Sequence, residues 1–242
     1  TALKRMGLET DFCFVEGETR TNMKVIDPVN HTNTDINEPG VTVSKEILDA
    51  LLDDLLEKIS EGDIVVISGS MPKGSPEDTY YVWTKACREK GAKVILDADG
   101  ALFATGVKAS PYLVKPNNHE LSRFAGRKLE TVEELEAEAK KMMQDYGIKK
   151  VVVSMGGDGA LYVTEEKTIY AEGLKVPVGS TVGAGDSVVA ALAFAEENGS
   201  SLEDTVRLST ATGGANVMCS GTQAAEYEVI ESLMPKVVFR TL

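Results

Sequence analysis

The feature that most constrains this chain is a repeated pattern between residues 62 and 160: a short continuous apolar run, a polar loop, then an amphipathic stretch. The runs are Ile64 to Ser68, Lys93 to Leu96, Leu113 to Lys115 and Val151 to Ser154. A run without polar alternation suits a strand covered on both faces, and helical stretches between such strands make the crossovers that parallel pairing requires. The expected class is therefore α/β, a mostly parallel doubly wound sheet with helices on both faces. Helices are predicted from Ser44 to about Ile59, from Ser75-Pro76 to about Lys90, and from the capping box Thr131-Val-Glu-Glu134 to about Tyr146.

The front of the chain reads differently. Residues 11 to 26 alternate around Gly17-Glu18 as a hairpin, a second turn falls at Asp27-Pro-Val-Asn30, and Thr32 to Asn37 forms a further strand before Glu38-Pro-Gly40. Residues 11–40 are thus expected to belong to a small antiparallel β lid, and 41–242 to the α/β domain.

Polar loops follow the carboxyl ends of the predicted strands: Ser68 to Gly74, Asp97 to Gly100, Lys115 to Glu120 and Ser154 to Gly159. Open α/β sheets place their ligand crevice there, so these loops should converge. A fifth loop, Gly179 to Asp186, runs into Val188 to Ala195, which is apolar on every side and reads as a helix buried all round. If that helix starts near Ala184, the N–H groups of Gly183, Ala184 and Gly185 meet at its positive end and suit a phosphate, with Asp186 in the first turn. Backbone amides, one lysine and several carboxylates in one cleft are the parts needed to move a phosphoryl group with a divalent metal.

Other chemistries lack their residues. There is no Gly-x-x-x-x-Gly-Lys-Ser/Thr, no Gly-x-Gly-x-x-Gly between a strand and a helix, and no Gly-x-Ser-x-Gly elbow. His31 and His119 are too far apart for a zinc hydrolase, and Cys13, Cys87 and Cys219 show no CxxC spacing. A net charge of -13 argues against nucleic acid and anionic membranes as partners. No span of eighteen uninterrupted apolar residues occurs, and a cytoplasmic location fits the cysteine pattern best.

Thr181-Val-Gly-Ala-Gly-Asp-Ser187 resembles the C-terminal signature of the ribokinase-like (PfkB) family of sugar kinases. Val114-Lys-Pro-Asn-Asn-His-Glu-Leu121, Ser68-Gly-Ser-Met-Pro72 and Ser154-Met-Gly-Gly-Asp-Gly159 resemble its other blocks, in the same order. Within the family, Gly17-Glu-Thr-Arg-Thr-Asn-Met-Lys24 and Thr34-Asp-Ile-Asn-Glu-Pro-Gly40 are similar to the phosphosugar branch.

The resemblance implies an ATP-dependent kinase for a phosphosugar, with fructose 1-phosphate favoured and tagatose 6-phosphate the alternative. It makes Asp186 the base that takes the sugar hydroxyl proton, with Gly183, Ala184 and Gly185 holding the charge on the transferring group. Lys115, Asn117, Thr181, Gly185 and the Ser154, Met155, Gly156, Gly157, Asp158, Gly159 segment would bind ATP, and Asn216 would approach the adenine. Glu120 would hold Mg2+ through water. Arg20 would grip the phosphate already on the sugar, assisted by Lys24, with Ser70 also at the substrate. Two rival readings remain. A non-catalytic sensor would not need Asp186, Asn117 and Glu120, and a kinase for an unphosphorylated substrate would not need Arg20.

Members of the family open with a strand and a Gly-Gly-Lys-Gly-x-Asn-like segment, which this sequence does not contain. The pattern is therefore expected to be entered several dozen residues late, with an ATP cleft present and half of the sugar pocket missing. The lid, apolar on one face, is expected to pair in a homodimer.

Overall fold

The computed structural model describes residues 2–27 and 32–242. The chain divides into two compact units, Thr1–Lys58 with Met71–Pro76, and Ile59–Ser70 with Glu77–Leu242. The predicted turn at Pro28 to Asn30, and His31, lie outside the described residues.

The first unit contains α1 (Ala2–Arg5), the antiparallel strands β1 (Asn22–Asp27) and β2 (Thr32–Asn37), and α2 (Lys45–Lys58). Met23 stands opposite Ile36. Period-2 alternation then puts Met23, Val25 and Ile36 on one face, where all three are exposed. The strand expected before Gly17 does not form: residues 11–20 are irregular. Gly17, at φ +120°, lies against the Val41 side chain and not in a two-strand turn. The helix expected from Ser75 also starts later. The Ser75 hydroxyl and N–H both donate to the Pro72 carbonyl, at 2.8 and 3.2 Å, closing a turn instead of capping a helix.

In the second unit α3 (Thr79–Glu89) follows β3 (Ile64–Ser68), and β4 (Lys93–Asp97) leads into α4 (Gly100–Gly106). Next come β5 (Leu113–Val114), α5 (Asn118–Ala125), α6 (Val132–Tyr146) and β6 (Lys150–Ser154). The remaining elements are β7 (Ala160–Thr164), β8 (Thr168–Ala171), α7 (Ala184–Glu197), α8 (Leu202–Met218), α9 (Tyr227–Leu233) and β9 (Phe239–Thr241). Strands β3 to β9 form one sheet in chain order. Neighbours from β3 to β6 are parallel, as the apolar runs require, and those from β6 to β9 are antiparallel. The turn between β7 and β8 carries none of the residues that mark turns in sequence. The Thr164 N–H and hydroxyl both donate to the Lys167 carbonyl, at 3.1 and 2.9 Å, and the hydroxyl accepts from the Lys167 N–H at 3.2 Å.

Helices cover both faces of this sheet. Ile95 points into a core with Leu113, Val152, Tyr162 and Ile169 below Val189, Leu192, Val206 and Ala211 of α7 and α8. Leu96, its neighbour, points the other way and packs against Gly106 of α4. Each such fully buried aliphatic side chain stabilises the fold by roughly 1.5–3 kcal/mol. Gly213 and Gly214 let α8 approach closely, since a Cβ on either would stand 2.9 Å from Val188 or Leu174. The buried Tyr162 hydroxyl reaches Ser209 Oγ at 2.8 Å and Thr210 Oγ1 at 3.0 Å, fixing β7 to α8. Helix α7 is not buried all round. Val189, Leu192 and Ala195 face the core, whereas Ala190 is exposed and Phe194 is 60% exposed. Its uniform apolarity comes from small residues, not from enclosure.

Candidate active site

Strand β4 ends at Asp97 and β5 runs into Lys115. Because Leu96 pairs with Val114, these two polar residues emerge side by side at the carboxyl edge of the sheet. Lys115 Nζ lies 3.2 Å from Asp97 Oδ1, with the side chains only 7% and 17% exposed. Burial pushes the Asp97 carboxyl above its usual range, the Lys115 charge and hydrogen bond oppose this, and Asp186 adds to the rise. A Cβ on Gly185 would lie 3.5 Å from Lys115 Nζ, so the ammonium sits directly against the first turn of α7. Asp97 carried no assigned role in the sequence. Its signal was an aspartate closing one apolar run just as Lys115 closes the next.

The turn into α7 depends on Gly183, the N-cap, in the left-handed conformation at φ 77°. Ser187 makes the first i to i−4 bond, to the Gly183 carbonyl at 2.9 Å. The Ala184 N–H is turned onto the Thr181 carbonyl at 3.4 Å, and the Val182 N–H onto Ser180 Oγ at 3.2 Å. This modifies the expected amide set: helix geometry leaves Gly185 and Asp186 without an intrahelical acceptor, whereas Ala184 is engaged in a long bond. The Asp186 side chain is exposed in this first turn. Asn216, near the end of α8, is 4% exposed and its Oδ1 faces the Gly183 turn. That oxygen is buried without a partner, while Nδ2 donates to the Gln223 carbonyl at 3.3 Å.

Asn117 is the N-cap of α5, and Glu120 completes a capping box with it. The box uses Asn117 Oδ1 and Glu120 Oε2, at 2.9 and 2.8 Å, and leaves Asn117 Nδ2 and Glu120 Oε1 outside it. Burial raises the Glu120 carboxyl, the Asn117 backbone bond and Lys115 lower it, and Asp99 and Asp97 add to the rise. Asp99 accepts from the Gly100 N–H at 2.6 Å at the start of α4 and pairs with Arg123 at 2.7 Å. Among the described residues no group of three or more His, Cys, Asp or Glu side chains could hold a metal ion.

The Ser154 N–H donates to the Pro116 carbonyl at 3.1 Å, so the next loop starts beside Asn117. Gly156 to Asp158 form one 3₁₀ turn, closed by the Met155 N–H to the Gly159 carbonyl at 2.8 Å. Glycine is obligatory here. A Cβ on Gly159 would enter the Ala171 carbonyl, and one on Gly173 would enter the Gly157 carbonyl. Ser70 is exposed just beyond β3, where the Gly69 N–H donates to the Asp97 carbonyl at 3.2 Å. Arg20 and Lys24 belong to the first unit, Arg20 against Gly40 and Lys24 opposite Asp35.

Residues 1–228 match the model of the pfkB family of carbohydrate kinases. The chain belongs to that family. It is 37% identical over 237 residues to the 1-phosphofructokinase of Bacillus subtilis, covering 98% of this chain and 76% of that one. Against the 1-phosphofructokinase of Haemophilus influenzae it is 35% identical over 232 residues, covering 96% and 74%. Among solved structures, the tetrameric inhibited form of phosphofructokinase-2 from Escherichia coli superposes with a TM-score of 0.86 at 29% identity, covering 97% of this chain and 76% of that one. The same enzyme in complex with potassium gives 0.83 at 31%, covering 90% and 71%. As a carbohydrate kinase of this family the protein is a phosphotransferase, and the central sheet flanked by helices is the architecture those structures share. Among the described residues of the kinase, no helix is long and apolar enough to cross a membrane.

Proposed function

We propose that this kinase transfers the γ-phosphoryl group of ATP to the free primary hydroxyl of fructose 1-phosphate, yielding fructose 1,6-bisphosphate. The observation that carries the reading is the packing of Lys115 Nζ against Gly185, one residue before the exposed carboxylate of Asp186. A cation, a helix N-terminus and a carboxylate thereby lie close together. The 37% identity to a 1-phosphofructokinase over almost the whole chain supports the choice of sugar.

Asp186 receives the hydroxyl proton as the oxygen attacks phosphorus. Because the transition state is loose, this proton transfer can come late. The Gly183-Ala184-Gly185 turn, chiefly the Gly185 amide, faces the charge on the transferring oxygens, and Lys115 adds a fixed positive charge. Asn117 offers Nδ2 to the phosphates. Ser154 to Gly159 and Thr181 line the nucleotide, and Asn216, beside the Gly183 turn, would approach the adenine. In the first unit Arg20, with Lys24, suits the phosphate of a phosphosugar, and in the second unit Ser70 is exposed for contact with a substrate.

The donor set suits Mg2+, which binds through one or two carboxylates, water and substrate phosphates instead of an all-protein cage. Glu120, with Oε1 outside its capping bond, would hold it, and the ion would neutralise charge between the phosphates. The exposed apolar face of Met23, Val25 and Ile36 supports a homodimer through the lid. Cys13, Cys87 and Cys219 are free thiols, which fits a reducing cytoplasm.

Coupled ADP release with ATP, Mg2+ and, in parallel, fructose 1-phosphate, fructose 6-phosphate and tagatose 6-phosphate tests the reading. Preference for fructose 1-phosphate, lost in Asp186→Asn, is the expected result. Preference for tagatose 6-phosphate would overturn the sugar assignment, and no turnover with any phosphosugar would overturn the reading as a whole.

A further inference from the structure

Resting on that reading, we infer that Asp97 is a positioning residue for phosphoryl transfer, whose carboxylate pins the Lys115 ammonium against Gly185 and beside Asp186. A lysine side chain is a flexible stem with a point charge at its tip, and by itself it fixes that charge poorly. Here the stem rises from the end of a buried strand, and the adjacent strand presents Asp97 at the matching level. The carboxylate holds the ammonium from the sheet side at 3.2 Å, and Gly185, lacking a side chain, lets it come to rest on the helix start.

Energetics favour a functional reason for the pair. Enclosing two charges to this degree costs desolvation that their attraction repays only in good geometry, and an apolar pair of similar volume would serve stability as well or better. On this inference, the role of the pair is to place a charge. Lys115 also lies within electrostatic reach of Glu120, and Asp186 within reach of Asp97. Without Asp97 the ammonium is free to swing toward Glu120, a move that would draw it from the helix start. A displacement of about 1 Å at a reacting centre costs on the order of 100-fold in rate.

The test is a double-mutant cycle on kcat and on KM for ATP with Asp97→Ala, Lys115→Met and the double variant, with Mg2+ titrations and thermal melts on each. Asp97→Ala is expected to lower kcat by about 10- to 100-fold. In the Lys115→Met background the same change is expected to cost less than about 3-fold, because its effect passes through the lysine. The Mg2+ concentration for half-maximal rate stays where it is in the wild type. Asp97→Asn keeps an oxygen that can accept from Lys115 and recovers part of the loss, which also decides the matter if the alanine variant fails to fold. Losses that multiply in the double variant overturn the inference while leaving the kinase reading intact. So does a rise in the Mg2+ midpoint with the rate restored at saturating Mg2+, which would place Asp97 on the metal. A wild-type protein without ATP-dependent turnover would remove the functional reading and this inference with it.

Discussion

Asn117 and Glu120 hold each other at the start of α5: Asn117 Oδ1 accepts from the Glu120 N–H at 2.9 Å while Glu120 Oε2 accepts from the Asn117 N–H at 2.8 Å. Cap and proposed metal carboxylate are thus one device, and two substitutions separate the roles. Glu120→Gln keeps an acceptor for the Asn117 N–H but loses the charge. It should change stability by less than about 1 kcal/mol while raising the Mg2+ needed for half-maximal rate. Asn117→Ala removes the cap and should cost about 1 kcal/mol in chemical denaturation. If both variants lose stability equally and neither alters the Mg2+ dependence, Glu120 is a cap only.

Asp186 is exposed and sits where a carboxylate complements the helix dipole, a contribution of about 0.3–1 kcal/mol. Its removal should therefore be nearly silent in a melt. As the proposed base, however, Asp186→Asn should lower kcat about 10²- to 10⁴-fold with KM for ATP little changed. Single-turnover kinetics on the folded variant decide this, and a loss confined to KM would sink the assignment.

Gly159 combines φ +104° with backbone contact to the Ala171 carbonyl, leaving no space for a methyl group. Gly159→Ala should destabilise the protein by about 3 kcal/mol or more, since strain and overlap add. Gly126, at φ +68° with no atom within 4 Å of a built Cβ, gives the comparison. There alanine meets only the conformational cost, about 1 kcal/mol. Equal losses at both sites would mean that the loop relaxes around the added methyl.

Glu134 closes the second capping box, with Thr131, and its carboxylate also accepts from the Glu130 N–H and pairs with Arg127. The Glu130 backbone bond, then the Arg127 bond, hold it below its ordinary value of 4.5 in the folded state. The unfolded chain therefore takes up this proton first on acidification. Stability from Glu134 is complete above pH 4.5 and is lost as pH falls through the depressed folded value. Denaturation of wild type and Glu134→Gln at pH 7 and at successively lower pH should show a gap that narrows once the pH falls below 4.5. A gap that does not narrow on acidification would assign the effect to packing.

Much of this organisation is written in local sequence. The parallel strands are legible because burial on both faces demands uninterrupted apolar residues, as in Val94-Ile-Leu96, and the start of α6 because Thr131 and Glu134 satisfy orphan amides at fixed spacing. The glycine-rich turn into α7 is legible for a similar reason: only glycine takes the left-handed conformation of Gly183 without cost. Other features are not local. Residues 11–16 alternate as a strand would, but pairing needs a facing partner, and Gly17 is committed to Val41 instead. The β7 to β8 turn is closed by the Thr164 backbone N–H together with its hydroxyl, which no turn composition announces.

The sequence by itself determined the α/β class, the capping box of Thr131 and Glu134 and the family signature, because each rests on residues a few positions apart. Only the tertiary structure decided that Asp97 meets Lys115, that Lys115 rests on Gly185, and that Gly159 faces the Ala171 carbonyl. Those contacts depend on strand register and on which helix covers which strand end. Register and layer order are set by long-range packing of the whole core, a sum over many side chains that no short stretch encodes.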